Sequence, residues 1–280
     1  MIEARLCDVI LGLVNRSFRM NVMAFAACLL LICGQSSARD CVIRVAYPDR
    51  ERPPYYFGSG AVVPEPAGAG VDLLRLAVRS VGCIPEMIRL PNARIKLALI
   101  NGSADLAPVD LRDGEQPYSA LPMKAGQLDA RRGTRMTAVV YVRTADGLPS
   151  SIDPRNYFKG RKLVTNQGSP LGEQLRDEGF KVDDGSLDTY SNMDKVVLRR
   201  ADGFAFSIAN VEAMDATIAA RYGASLTRLP TPVRTSTLWL SASNAYFERN
   251  RERMEALWNW WGENSSHKLV ELLKNYSPQK

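Results

Sequence analysis

The sequence predicts an α/β protein built from two successive units in which short apolar strands alternate with short helices. Three observations carry this reading. The stretch Arg89–Val109 (RLPNARIKLALINGSADLAPV) reads as the end of a strand, one short helix and a second strand. That is a βαβ crossover, which builds a parallel sheet with helices on its faces. The same grammar resumes from Met136, and a helical tail follows Pro230 and Pro232.

Taken in order, Cys41–Tyr47 (CVIRVAY) is the first strand, and Pro48–Gly60 is a loop too rich in proline and glycine for regular structure. Leu74, Ala77, Val78 and Val81 give the helix Val71–Val81 one apolar side, and Asp72 in its first turn suits the helix dipole. The apolar run Ile84–Leu90 is the next strand. Asn92 then caps a helix carrying Ile95, Ala98 and Leu99, Asn101-Gly102 stops it, and Ala104–Val109 follows as a buried strand. Leu111–Arg135 has no clear period. The second unit runs through strands at Met136–Arg143, Lys162–Thr165, Phe180–Val182, Gly203–Ser207 and Ser225–Leu229. Its helices end at Glu178 or span Ser191–Arg200 and Val211–Tyr222. A strand at Thr237–Ser241 and two closing helices, Ala245–Trp261 and His267–Asn275, complete the chain, the first burying Phe247, Leu257, Trp258 and Trp261.

With 280 residues the chain can bury a large core. Its formal net charge of +6 is scattered, without an aromatic-interleaved basic stripe, so a nucleic-acid face is not expected. Arg16 and Arg19 precede the apolar run Val22–Cys33, and Ser36-Ser37-Ala38 offers small residues for a peptidase. Residues 1–38 therefore read as a cleaved secretory signal, with Arg39 the mature start and either Met1 or Met20 the first residue. The run is too short for a transmembrane helix, so the mature chain is not expected to span a membrane. Two cysteines remain after cleavage. Cys41 and Cys83 open strands expected to be parallel neighbours, and an oxidising compartment favours a disulfide between them.

The chain resembles the bacterial extracellular solute-binding proteins of family 3, which include polar amino-acid receptors of ABC importers. The resemblance runs from about Cys41 to Asn275 and rests on IRVAYPDRERPPYYF, GAGVDLLRLAV, RLPNARIKLALINGSADLA, KGRKLVTNQGSPLGEQL and VVLRRADGFAF in that order. It implies a two-lobed periplasmic-binding-protein (Venus flytrap) fold of type II with two hinge crossings. Residues 39–135 and 236–280 would form lobe 1, and residues 136–235 lobe 2. It further implies a monomeric periplasmic receptor without cofactor or metal that closes on a small polar or anionic, amino-acid-like metabolite. Its partner would be the membrane permease of an ABC importer.

Ligands of such sheets meet the carboxyl ends of the strands. Tyr55 and Tyr56 there form either a stacking wall or packing aromatics. Arg94 either forks onto a carboxylate or stays at the surface in an ion pair. Gly168-Ser169 opens a helix as an anion site, an ordinary cap or both. Three positions depart from the family. The arginine that usually grips an α-carboxylate has only Arg112, within APVDLRDGEQPYS and without the threonine or the spacing. The acid expected five residues after Asp202 is Ser207, and the aspartate expected just inside the first helix is Gly70.

Enzymatic activity is not expected. The single histidine, His267, lies on the last helix, both mature cysteines are structural, and neither a Cys/His zinc cluster nor a glycine-rich phosphate loop is present. Asp49, Asp110 and Glu115 are the carboxylates available to a dehydratase of this fold, and Asp110 also falls among the ligand-binding candidates. A sensor or accessory module serving another membrane partner is the remaining alternative.

Overall fold

A computed structural model describes residues 41–276, so the signal segment expected over residues 1–38 lies outside the described residues. β1 (Val42–Pro48) leads through the proline-rich loop to α1 (Ala69–Arg79), followed by β2 (Ile84–Leu90), α2 (Asn92–Ile100) and β3 (Leu106–Asp110). A small hairpin, β4 (Met123–Lys124) and β5 (Gln127–Leu128), and a 3₁₀ turn at Ala130–Arg132 occupy the stretch that lacked a period. Ala125 at φ 50° and Gly126 at φ 78° make its two-residue turn, a pair of left-handed residues of which only the glycine is signalled in sequence.

β6 (Thr134–Arg143), α3 (Pro154–Tyr157), β7 (Lys162–Asn166), α4 (Pro170–Asp177) and β8 (Lys181–Ser186) come next. They are followed by α5 (Thr189–Val197), β9 (Gly203–Ile208), α6 (Val211–Tyr222), β10 (Leu226–Arg228), β11 (Arg234–Ala242), α7 (Asn244–Arg249) and α8 (Arg251–Tyr276).

Apart from the β4–β5 hairpin, the strands form one sheet in the order β2-β1-β3-β11-β6-β9-β7-β8, with β10 beside β6. The β1–β2 pair is parallel and sets Val42 opposite Ile84. Cys41 and Cys83 stand one step before that pair, and both are disulfide-bonded. Apolar clusters lie along the sheet. One gathers Ile95, Leu99, Val109 and Trp239 around β3; another gathers Val140, Phe158, Leu163 and Leu175 around β6 and β7.

β6 and β11 join the two halves. Residues Arg234–Leu238 of β11 pair antiparallel with Thr134–Ala138 of β6, while Leu238–Ala242 pair with β3. β6 continues into the second half against β9, from Thr137 opposite Ile208 to Tyr141 opposite Phe204. From Val42 onward the described chain is one compact unit, in which two halves share two crossing strands.

Two expectations are corrected. Asn92 is the first residue of α2 and not its cap; Pro91 holds the cap position, and the Asn92 side chain reaches Gln167 O at 3.5 Å instead. The closing helices break at Asn250, and α8 then runs through Gly262 and Ser265-Ser266 without interruption. Gly262 is there for packing: a Cβ on it would stand 2.3 Å from Arg131 O. Ser265 is satisfied by Thr134 Oγ1 at 2.7 Å. Leu257, Trp258 and Trp261 are buried as expected, whereas Tyr246 takes the buried position beside a half-buried Phe247.

Candidate functional site

The carboxyl ends of β1, β2, β3, β7 and β9 converge on a cavity of ≈ 350 Å³ between the two halves. That volume is within the range of small-molecule sites. A larger open depression, ≈ 730 Å³, lies on the outer face near Arg75 and Arg79, but Arg75 there is already paired with Asp72 at 3.0 Å and with Glu65.

The loop after β1 forms one wall. Pro48 ends the strand beside β2, where Asp49 N donates to Leu90 O at 3.0 Å. A tight turn then closes, with Arg52 N donating to Tyr56 O at 2.8 Å and Tyr56 N to Arg52 O at 3.0 Å. It drives Arg52 inward until only 6% of the residue is exposed. The Tyr55 and Tyr56 rings flank the guanidinium, with centroids 5.4 and 5.6 Å from its carbon. The α1 end of the loop is shaped to fit. Gly68, at φ 107°, passes so close to Tyr55 O that a Cβ would lie 2.5 Å away, and a Cβ on Gly70 would touch Tyr56 Cε1 at 3.0 Å. The position where the resembled receptors carry an aspartate is thus filled by the Tyr56 ring.

The opposite wall comes from β7, α4 and β9. Gly168 (φ 63°) turns the chain into α4, and Ser169 caps that helix by accepting from Gly172 N at 3.1 Å. A side chain on Gly172 would stand 2.4 Å from Thr165 Oγ1, so the helix start can press on β7 only with glycine there. Asn192, buried under β7, donates to Asn166 Oδ1 at 3.0 Å and Ser186 O at 3.1 Å and fixes the strand end. Asp202 Oδ2 accepts from Lys162 N at 2.8 Å, which sets β9 so that Ser207 reaches the cavity.

The halves are bonded across the cleft. Arg52 Nη1 donates to Ser207 O at 3.2 Å; Tyr55 Oη donates to Asn210 O at 3.0 Å and accepts from Asn210 N at 3.1 Å. At the rim Arg112 meets Asp177 at 2.9 Å, and Asp113 and Gln174 exchange bonds of 2.8 and 3.2 Å. These contacts hold the two walls of the cleft together.

The ionisable groups of the cavity fall into two sets. Asp110 accepts from Ser236 Oγ at 3.0 Å and lies 3.7 Å from Arg234. Burial nonetheless pushes its carboxyl up to about 6. Glu115 pairs with Lys96 at 2.9 Å, and Glu173 lies 3.7 Å from Arg112. Arg50 and Arg52 are different: Nε and Nη1 of Arg50 and Nε of Arg52 are buried without a hydrogen-bond partner. Burial, and then the nearby Arg52 charge, lowers the Arg50 guanidinium to about 9; burial lowers Arg52 as well.

Of the residues expected at the site, Tyr56, Asp110, Gly168, Ser169 and Ser207 line this cavity. Tyr55 braces the cleft beside it. Arg94 is exposed on the first turn of α2 and does not line the cavity, and Arg112 sits at the rim in its carboxylate pairs. Arg50 and Arg52 were not anticipated, although two arginines directly after the first parallel strand occupy the place where such sheets bind ligands.

No family model and no curated protein matches the chain. Solved structures do. The ligand-binding core of GluR0 from Nostoc punctiforme, in complex with L-glutamate, superposes with a TM-score of 0.57 at 17% identity, over 84% of this chain and 98% of that one. A histidine kinase sensor domain with similarity to periplasmic binding proteins gives 0.60 at 15% identity, over 86% and 99%. The fold is that of the Venus flytrap domains. A mutant of the arginine-binding protein of T. maritima gives 0.54 at 14%, over 84% and 94%. Amino-acid-binding periplasmic proteins are therefore among the structural neighbours of this domain, and the disulfide fits an extracellular location. Among the described residues no helix is long and apolar enough to cross a membrane, and no group of three or more His, Cys, Asp or Glu is placed to hold a metal ion.

Proposed function

We propose that this protein is a periplasmic solute-binding receptor of the family 3 type, exported by its amino-terminal signal. It acts as a monomer, closing on a small polar or anionic metabolite and presenting it to the permease of an ABC importer. The observation that carries the reading is the cavity itself, set between halves that touch through Arg52, Tyr55 and Arg112 and lined at the carboxyl ends of five strands. The shared fold of amino-acid-binding neighbours supports it. A receptor without chemistry of its own is also consistent with His267 exposed on α8, both described cysteines held in disulfide linkage, and Asp110 engaged by Ser236.

Closure is testable without knowing the solute. The chain, unfolded in non-reducing guanidinium chloride and refolded, would be measured by small-angle X-ray scattering before and after addition of the small-molecule fraction of a cell extract. A receptor contracts; an unchanged radius of gyration with an unchanged melting temperature refutes the reading. A sensory role is the second reading, favoured by the histidine kinase sensor domain among the neighbours. Loss of solute uptake on gene deletion supports the importer, whereas intact uptake with a lost transcriptional response supports the sensor.

A further inference from the structure

Cations that are scattered along the sequence gather at one pole of the fold. The amino ends of β9, β7 and β8 lie side by side, at the end of these strands away from the cavity. Lys162 and Lys181 open β7 and β8 as register partners, and Asp202 N donates to Lys162 O at 2.9 Å, which brings the turn after α5 alongside. That turn adds Arg199 and Arg200, the turn after α3 adds Lys159 and Arg161, and all of these side chains belong to exposed residues. The neighbouring carboxylates are engaged. Asp146 pairs with Arg143 at 2.9 Å, Asp202 Oδ2 accepts from Lys162 N at 2.8 Å, and Glu178 pairs with Arg155 at 2.6 Å. Asp183 and Asp184 of β8 pair with Lys195 and Arg176. Among the described residues Lys159, Arg161, Lys162, Lys181 and Arg200 make no ion pair, and Arg199 has only Asp146, at 3.9 Å.

Three features of this pole oppose folding. Arg199 holds φ 59°, the left-handed position after a helix that glycine usually fills, with Arg200 N and Ala201 N donating back to Lys195 O. Lys162 and Lys181 set like charges on paired positions of neighbouring strands. Val197 and Leu198, 37% and 59% exposed, leave aliphatic side chains in water, on a turn that Arg143 pins by donating to Val196 O and Ala201 O at 2.8 and 2.6 Å. Cations suit the carboxyl end of a helix, which accounts for Arg199 and Arg200, but Lys162 and Lys181 belong to no helix. A negatively charged lipid surface makes all three favourable, because its headgroups attract the cations and its acyl boundary receives the aliphatic side chain.

We infer that this pole docks on anionic phospholipid, with Lys162, Lys181, Arg199 and Arg200 on the headgroups and Leu198 between them. The cavity, at the other end of the same strands, stays clear of that surface whatever solute it takes.

The experiment is vesicle co-sedimentation of the chain from Arg39 onward, which contains the whole compact unit. One set of vesicles mixes phosphatidylglycerol with phosphatidylcholine at about one to two, and the other is phosphatidylcholine alone. The inference expects binding to the first set only, lost as salt rises from about 0.05 to about 0.5 M. Each cation removed should weaken binding about fivefold, and the double variant Lys162→Gln, Lys181→Gln roughly twenty- to thirtyfold. Arg199→Gly should weaken binding about fivefold yet melt no lower than the parent, a split that a purely structural arginine would not give. Leu198→Ser should weaken binding as well. Absence of binding to the anionic vesicles, equal binding to phosphatidylcholine, or affinity unchanged in the double variant and in Arg199→Gly would overturn the inference. Equal binding to soluble poly-L-glutamate, with Leu198→Ser without effect, would overturn it in favour of an acidic protein partner.

Discussion

Replacing Arg50, a half-buried residue, by methionine removes a guanidinium whose Nε and Nη1 are buried without a partner, while keeping most of its aliphatic volume. Burial brings that group from the ordinary arginine range above about 12 down to about 9. A base whose folded value lies below its unfolded one weakens the fold at every pH under the folded value, and the penalty fades between about 9 and 12. At about 1.4 kcal/mol per decade of proton affinity, the displacement sets a ceiling of about 4–5 kcal/mol. Relaxation and water reduce it, and loss of the neighbouring Arg50 charge leaves the Asp49 carboxylate less well compensated. Exchanges of buried charges for apolar groups stabilise by about 1–4 kcal/mol, so about 1–3 kcal/mol is expected here. For a domain of this size that is a rise in Tm of roughly 2–12 °C without ligand, at about 2–4 °C per kcal/mol. Differential scanning calorimetry at pH 7 and again near pH 10 measures it, and the gain should shrink at the higher pH. A variant that melts several degrees lower, with ligand binding intact, would show Arg50 to be an ordinary structural arginine and refute the reasoning.

Three further outcomes follow from named contacts. Because burial raises the folded value of Asp110 to about 6, its contribution favours folding below about pH 4 and is lost as pH rises through about 6. Asp110→Asn should therefore flatten the stability profile across that window by about 1–2 kcal/mol, read by urea denaturation at pH 4, 5, 6 and 7; an unchanged profile contradicts the burial. Reducing the disulfide of Cys41 and Cys83 releases a loop of about 40 residues and should cost about 2–4 kcal/mol, measured as a lower urea midpoint with dithiothreitol; equal midpoints would contradict it. Gly70→Asp places a Cβ 3.0 Å from the Tyr56 ring, so Tyr56 must move. The variant should lose about 1–3 kcal/mol and bind its solute more weakly in calorimetry, whereas parental stability and affinity would show that the loop is not held against α1.

Much of the architecture is legible because its signals are local. The apolar periods of β1, β2, α1 and α2 lie within single elements, and proline and glycine punctuation (Pro48–Gly60, Gly82, Pro91) separates them. What failed was what depends on packing between elements. Gly262 looks like a helix stop, yet it is demanded by the Arg131 backbone that crosses α8. The β4–β5 turn uses Ala125 in the left-handed region, for which the sequence carries no flag beyond Gly126.

The site shows the same division. Asp110 and Ser207 lie at the carboxyl ends of β3 and β9, and Ser169 opens the helix after β7, so topology alone brings them to the cavity. Arg94 follows a strand end too, but the first turn of α2 points it to solvent, and Arg112 is drawn outward by Asp177. In sequence the loop after β1 stands out for its aromatics, Tyr55, Tyr56 and Phe57. Its arginines turn inward because the Arg52–Tyr56 turn closes on itself, a tertiary outcome that no spacing announces.

The most direct test of a closing, solute-binding cleft is a thermal-shift screen of the refolded chain against organic acids, amino acids, polyamines and small sugars. The account predicts a saturable rise confined to one chemical class. At a hundredfold excess over Kd the linkage is about 2.7 kcal/mol, or roughly 5–11 °C for a domain of this size. No shift in any class, from protein shown to be folded, would contradict it.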